Sequence, residues 1–194
     1  MAEKSVIDID ASEKERSIAT LVTAFARCPF SRWMLPDPGQ YLESFPKILL
    51  TSGNSAFESG TAHRTEDFLA VALWLAPGAR ADEEAMGNLM QEAISRDRRD
   101  EVFAVAEQIA LSHPKSDHWY LLSVGVDPTC QGRGYGSALL KSGLEVCDRH
   151  QLVACLESAN ARNIPLYERF GFEVTGEIQA GSSPTIYPMV RMPR

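Results

Sequence analysis

The residues best equipped for chemistry form one run, Gln131-Gly132-Arg133-Gly134-Tyr135-Gly136. Alternate glycines let a backbone turn tightly and approach a ligand with no side chain between. The run follows a dense apolar stretch, residues 119–126. It precedes a segment in which Ala138, Leu139, Leu140, Leu144, Val146 and Cys147 recur at helical spacing. It therefore sits at a strand-to-helix junction, where unpartnered backbone N–H groups and the positive end of the helix dipole attract phosphate oxygens. Arg133 can add charge at the rim. The same glycines also suit a tight turn that holds nothing. A Walker loop is excluded, because GxxxxGK(S/T) is absent, and glycines at 132, 134 and 136 do not spell GxGxxG.

The elements that must position this turn can be read from hydrophobic period and breakers. Val6, Ile7 and Ile9 predict a short first strand, with Asp10 or Ser12 capping a helix that carries Ile18, Leu21, Val22 and Phe25. Pro29, Pro36, Pro38 and Gly39 predict a loop, followed by a helix over residues 41–50 and a turn at 52–54. Residues 56–64 and 67–75 read as two strands. Residues 82–98 and 100–112 read as polar helices with apolar stripes. Strands are then expected over residues 119–126 and 152–156, with a helix between them. A short helix over residues 163–170 ends at Gly171, and strands over 172–178 and 185–192 close the chain as an antiparallel pair. Strands interleaved with helices predict one α/β domain, residues 1–194, built on a mixed sheet.

Composition narrows the function classes. The chain has 194 residues, 44% of them hydrophobic and 23% charged, which suits one domain with a real core. The formal net charge of −7 disfavours nucleic acid and mildly suits a cationic partner such as a protonated amine. Cys28, Cys130, Cys147 and Cys155 form no CxxC pair and show no zinc-ligand spacing with histidine. Free thiols fit a reduced, cytoplasmic setting. The first ten residues lack an apolar signal core, and the longest apolar stretch, residues 68–77, is too short to span a membrane.

Two segments in order carry a resemblance. LLSVGVDPTCQGRGYGSALL, with its Q-x-x-G-x-G turn, and LESANARNIPLYERFGF together resemble the acetyl-CoA half of the GNAT superfamily of N-acetyltransferases. HWYLLSVGVDP, GSALL, CLESANARNIPLYERFGFEV, the terminal PMVRMP and VALWLAPGAR are similar to the subgroup that contains puromycin N-acetyltransferases. The resemblance covers residues 67–194. It implies an α/β (α+β) fold with a mostly antiparallel sheet, V-shaped where two central parallel strands part, and acetyl-CoA in that split.

The resemblance also implies roles. Backbone groups near Val124, Gly125 and Val126 would bond the pantetheine arm as another strand would. Backbone N–H groups of Gln131, Gly132, Arg133, Gly134, Tyr135, Gly136 and Ser137 would hold the diphosphate. Asn160, seven residues before Tyr167, would contact the cofactor or fix the turn, and a plain helix cap is the alternative. Tyr167 would protonate the departing thiolate, its reference pKa near 10 keeping it protonated at neutral pH. Its alternative is core packing. Glu157, at the end of a buried strand, is the candidate base, directly or through water. It could equally pair with an arginine or cap a helix. His118 is another candidate base, or equally a surface residue at a strand start, and His63 is a weaker candidate. Cys130 lacks an evident partner for nucleophilic work. Trp33, Trp74, Trp119 and Tyr120 could wall an acceptor pocket or be plain core, as most large aromatics are. Phe30, Trp33 and Met34 lie in the Pro-rich loop after the first helix, where this fold often covers the acceptor. The expected reaction is direct attack by a small-molecule amine, with no metal. A protein or peptide amine acceptor, or an acyl-CoA-binding sensor without catalysis, are the alternatives. Edge strands leave a homodimer open.

Overall fold

A computed structural model describes residues 4–79 and 82–194. Residues 1–3 of the N-terminal segment and the last residue of VALWLAPGAR lie outside the described residues. The elements are β1 (Val6–Asp8), α1 (Lys14–Phe25), α2 (Pro29–Met34), α3 (Pro38–Glu58), β2 (Ala62–Thr65), β3 (Ala70–Leu75), α4 (Glu83–Ala93), α5 (Arg96–Ser112), β4 (His118–Val126), α6 (Tyr135–Arg149), β5 (Val153–Ser158), α7 (Ile164–Arg169), β6 (Glu173–Val174) and β7 (Tyr187–Arg191). Among the described residues seven strands form one sheet in the order β1-β2-β3-β4-β5-β7-β6. All neighbours pair antiparallel except β4 and β5, which are parallel. The expected mixed, mostly antiparallel sheet is therefore present.

The core lies on both faces of this sheet. One face packs Leu21, Leu35, Phe45 and Leu49 from α1 to α3 against Val71 and Leu73. The other packs Leu139, Leu140 and Leu144 of α6, with Tyr167 of α7, against Ala72, Trp74, Leu121 and Leu156. Gly143 lets α6 lie directly on Trp74, since a Cβ there would collide with the indole ring. No helix among the described residues is long and apolar enough to cross a membrane.

Local chemistry explains where the first half departs from expectation. The loop predicted around the prolines is largely helical. Pro29 opens α2 and Pro38 opens α3, each at a first-turn position that needs no N–H. Asp37 caps α3 by accepting from the Gln40 N–H at 2.8 Å. The predicted turn at residues 52–54 is also helix, and α3 runs on to Glu58. Gly53 is buried there because a Cβ would meet Leu73 Cδ1 at 2.7 Å, so it marks a close approach and not a turn. The strand expected from residue 56 consequently begins only at Ala62.

The break between α4 and α5 falls at Ile94-Ser95, a few residues before the predicted one. Ile94 is extended and 2% exposed, so burying its side chain pulls the chain out of the helix. Residues 67–69 form a turn ahead of β3, closed by Asp67 accepting from Leu69 N–H at 3.1 Å. The closing strands pair as expected but β6 is short, with one further bridge at Ile178 and Ile186.

Candidate active site

The two parallel strands share only a short seam. His118, Trp119 and Tyr120 pair with Val153, Ala154 and Cys155. Beyond that seam β4 follows β3 as far as Val126, while β5 follows β7 as far as Ser158. The strands part, and the split lies between them. Asp127 N–H donates to Leu69 O at 2.8 Å, so Asp127 faces β3. Backbone groups alternate sides along a strand, so Gly125 also faces β3 and Val124 and Val126 point their N–H and C=O into the split. The Val126 carbonyl accepts from Gln131 Nε2 at 3.3 Å.

A register shift in the β3–β4 ladder skips Leu122, at the place where the strands part. It reverses the faces: Tyr120 and Leu122 pack toward α1–α3, whereas Val124 and Val126 pack toward α6 and α7. Gly125 faces α1 so closely that a Cβ would meet Ala24 Cβ at 2.8 Å. Its part in the split is to let α1 approach.

The glycine run opens onto this split. Gly132 and Gly134 take positive φ, +74° and +89°, and Gly134 caps α6. Among the described residues no side chain caps the N–H groups of the first turn of α6. The Tyr135 side chain turns away, its hydroxyl donating to Asp67 Oδ2 at 2.7 Å and accepting from Lys4 Nζ at 3.1 Å. Burial disfavours the Asp67 charge, yet hydrogen bonds from Tyr135 and Thr65 hold its carboxyl below the usual range. At Gly136 a Cβ would make only ordinary contacts, 3.5 Å to Val126 and 3.9 Å to Leu166, so no atom of the described residues demands glycine there. A concavity of about 660 Å³ flanks this end of α6, lined by Arg133, Gly134, Ser137, Lys141 and Lys4. Lys4 and Lys141 carry no motif and were not legible in the sequence.

At the apex of the split lies a second cluster. Tyr120 donates its phenol proton to Glu157 Oε2 at 2.7 Å, and His113 Nε2 lies 3.1 Å from Glu157 Oε1. The Glu157 side chain is 8% exposed. Burial, then the Glu157 charge beside it, pushes the Tyr120 phenol well above its ordinary pKa. Burial, then Glu157, likewise raises the Cys155 thiol. The His113 ring stands 4.5 Å from Tyr120 and edge-on to His118 at 5.4 Å. Sequence reasoning missed His113, which lies just past α5 and far from Glu157 along the chain, with no local signal.

Tyr167 is buried on α7 and stacks edge-on to Phe172 at 6.1 Å. Burial, then the nearby Cys28, pushes its phenol up to about 12. Leu166, its neighbour, closes over Gly136 at the mouth of α6. Asn160 caps the turn before α7, accepting from Arg162 N–H at 3.1 Å, and its carbonyl takes the Ser158 hydroxyl at 2.9 Å.

A family model described as the acetyltransferase (GNAT) family matches residues 56–172, which contain the split, the glycine turn and α7. The chain belongs to this GNAT family. An uncharacterized N-acetyltransferase of Schizosaccharomyces pombe is 27% identical over 184 residues, covering 84% of this chain and 72% of its own. Among solved structures, a protein of Corynebacterium glutamicum described as histone acetyltransferase HPA2 and related acetyltransferase aligns with a TM-score of 0.71 at 25% identity. That alignment covers 100% of this chain and 98% of the other. Arylalkylamine N-acetyltransferase 2 from Aedes aegypti shares the fold, with a TM-score of 0.69, 14% identity and full coverage of both chains.

Within this GNAT acetyltransferase the remaining candidates separate by place. Trp74 and Trp119 are buried on the α6 face and do not wall an acceptor pocket on the Tyr120 side of the sheet. Met34 is core in the first cluster. Trp33 pairs with Phe30 at 5.6 Å and donates from Nε1 to Ser182 at 3.0 Å, bracing α2 against the β6–β7 connection. His63 is on β2, held 2.9 Å from Asp8, with β3 between it and the split. Cys130 is buried beside Thr129 in the α6-face core. His118 starts β4 with Nδ1 donating to Ser116 O at 2.8 Å.

Proposed function

We propose that this GNAT enzyme transfers the acetyl group of acetyl-CoA to the amine of a small molecule. The observation that carries the reading is the continuity of the site. The N–H groups at Gly132–Gly136 lead into the split backbone of Val126 and Val124, which ends at the Tyr120–Glu157–His113 cluster. A diphosphate on the α6 N-terminus, with Arg133 and Lys141 at the rim, sends the pantetheine arm along β4 as an added strand. The room at Gly136, where no atom of the described residues demands glycine, suits that close approach.

The thioester then reaches the place where the strands part. Glu157 takes a proton from the arriving ammonium. The neutral nitrogen attacks the carbonyl carbon and the C–N bond forms. As the adduct collapses the C–S bond breaks and the nitrogen gives its second proton to solvent, from which Tyr167 is later reprotonated. Backbone donors of β4 stabilise charge growing on the carbonyl oxygen. Tyr167, held protonated, donates to the departing thiolate. Asn160 positions α7 through its cap. The carboxylate at a mostly closed apex favours a compact cation, and an arylalkylamine acceptor like that named for the Aedes aegypti enzyme is the first class to try.

The test is an incubation with acetyl-CoA and one arylalkylamine, followed by mass spectrometry. One acetyl group on the amine nitrogen per CoA released is expected. CoA release with unmodified amine would refute the transfer.

A further inference from the structure

The geometry points to a zinc-class divalent metal site formed by His113, His118 and Cys155. The three residues come from three places: the end of α5, the first position of β4 and the middle of β5. The sheet register brings them together. Tyr120 lies opposite Cys155 in the parallel seam, and His118, two residues before Tyr120, shares its face. His113 closes from above, its ring perpendicular to that of His118. One ligand atom from each of the three lies within 4.8 Å of the others. Tetrahedral zinc sets its ligand atoms about 3.5 Å apart, so small side-chain rotations complete the site.

The donor set and its surroundings agree. A thiolate with two imidazoles selects zinc and its transition-metal neighbours over magnesium or calcium. His118 spends Nδ1 on the Ser116 carbonyl at 2.8 Å, and His113 spends Nε2 on the Glu157 carboxylate at 3.1 Å. Each ring keeps its other nitrogen for a metal, and each is oriented by an acceptor in the manner of metal-binding histidines. Cys155 Sγ is buried and makes no hydrogen bond among the described residues. On binding, the thiol proton leaves to solvent and both imidazoles ligate neutral. The His113 side chain is 21% exposed, whereas Cys155 is buried. No Cys–His spacing in the sequence announces this site, because the three ligands meet only through the sheet.

A cation held there stands beside Glu157 and opposes the arrival of an ammonium. That inhibition rests on the proposed role of Glu157, whereas the binding does not. The test is a Co²⁺ titration of the chelator-treated full chain, read by absorption. Tetrahedral ligand-field bands and a thiolate-to-cobalt charge-transfer band are expected to saturate at one equivalent and to vanish on adding Zn²⁺. Cys155→Ser should lose the charge-transfer band. Because Cys155 is buried, the partly exposed His118 gives an independent arm: His118→Ala should weaken Zn²⁺ binding by about 100-fold or more while acetyl-CoA binding, measured by calorimetry, persists. A wild type with no charge-transfer band, or a band that survives in both variants, overturns the proposal.

Discussion

The Tyr120 hydroxyl donates to Glu157 Oε2 at 2.7 Å across the seam of the two parallel strands, one step before they separate. This bond fixes one carboxylate oxygen, and His113 meets the other at 3.1 Å. The carboxylate is thereby held in one orientation at the apex of the split. Glu157→Gln keeps the shape and the Tyr120 bond but cannot take a proton. Its kcat should fall by about 100-fold to 10,000-fold with the KM for acetyl-CoA little changed. Steady-state thiol release gives both numbers, and an unaltered kcat would remove Glu157 from the mechanism.

Tyr167 offers a contrasting test. Its buried phenol stays protonated across the neutral range. Tyr167→Phe should lower kcat by about 100-fold, the lower end for a lost acid, and leave the melting temperature close to wild type. A variant that unfolds early while retaining its rate per folded molecule would reassign Tyr167 to the core.

Glycine geometry at the turn predicts a binding defect. Gly134, at φ +89°, caps α6, and Gly132, at φ +74°, has nothing within 4 Å of a Cβ. Alanine at either position is strained by its backbone angle alone, by about 1 kcal/mol. Gly134→Ala should raise the Kd for acetyl-CoA several-fold in calorimetry, with kcat at saturation retained.

The pair Asp148–Arg191 governs stability at acid pH. Arg191 reaches both oxygens of Asp148, at 2.7 and 2.8 Å, and donates from Nε to the Phe170 carbonyl at 2.8 Å. One residue thus ties β7, α6 and the end of the helix that carries Tyr167. The guanidinium lowers the Asp148 carboxyl below its usual pKa, against the effect of burial. A depressed carboxylate contributes stability that is complete above its unfolded pKa of about 4 and lost as pH falls through the folded value. Asp148→Asn leaves Arg191, 4% exposed, without its counter-charge. It should cost about 3 kcal/mol at neutral pH, a cost that shrinks as pH falls below the unfolded value of about 4 and through the folded one, measured by denaturant midpoints across that range.

Local signals made the catalytic half of the fold legible. The apolar runs of β4 and β5 and the glycines between them need only neighbours in sequence to be recognised. Gly53 misled because its reason is Leu73, on another element. For Trp74 and Trp119, which are both core, the sequence left pocket wall and core open, because aromatic type does not say which face of the sheet a residue occupies. The skipped Leu122 decides that for the two ends of β4. Glu157 was visible as a carboxylate at a strand end, while His113 acquires meaning only where α5 hands the chain to β4.

The most direct test of the account is a comparison of kcat/KM, by thiol release from acetyl-CoA, for free arylalkylamines, other small amines and lysine-bearing peptides. Turnover on a small amine well above that on any peptide, abolished in Glu157→Gln, is expected. Faster transfer to peptides, or acetyl-CoA bound with no transfer to any amine, would contradict it.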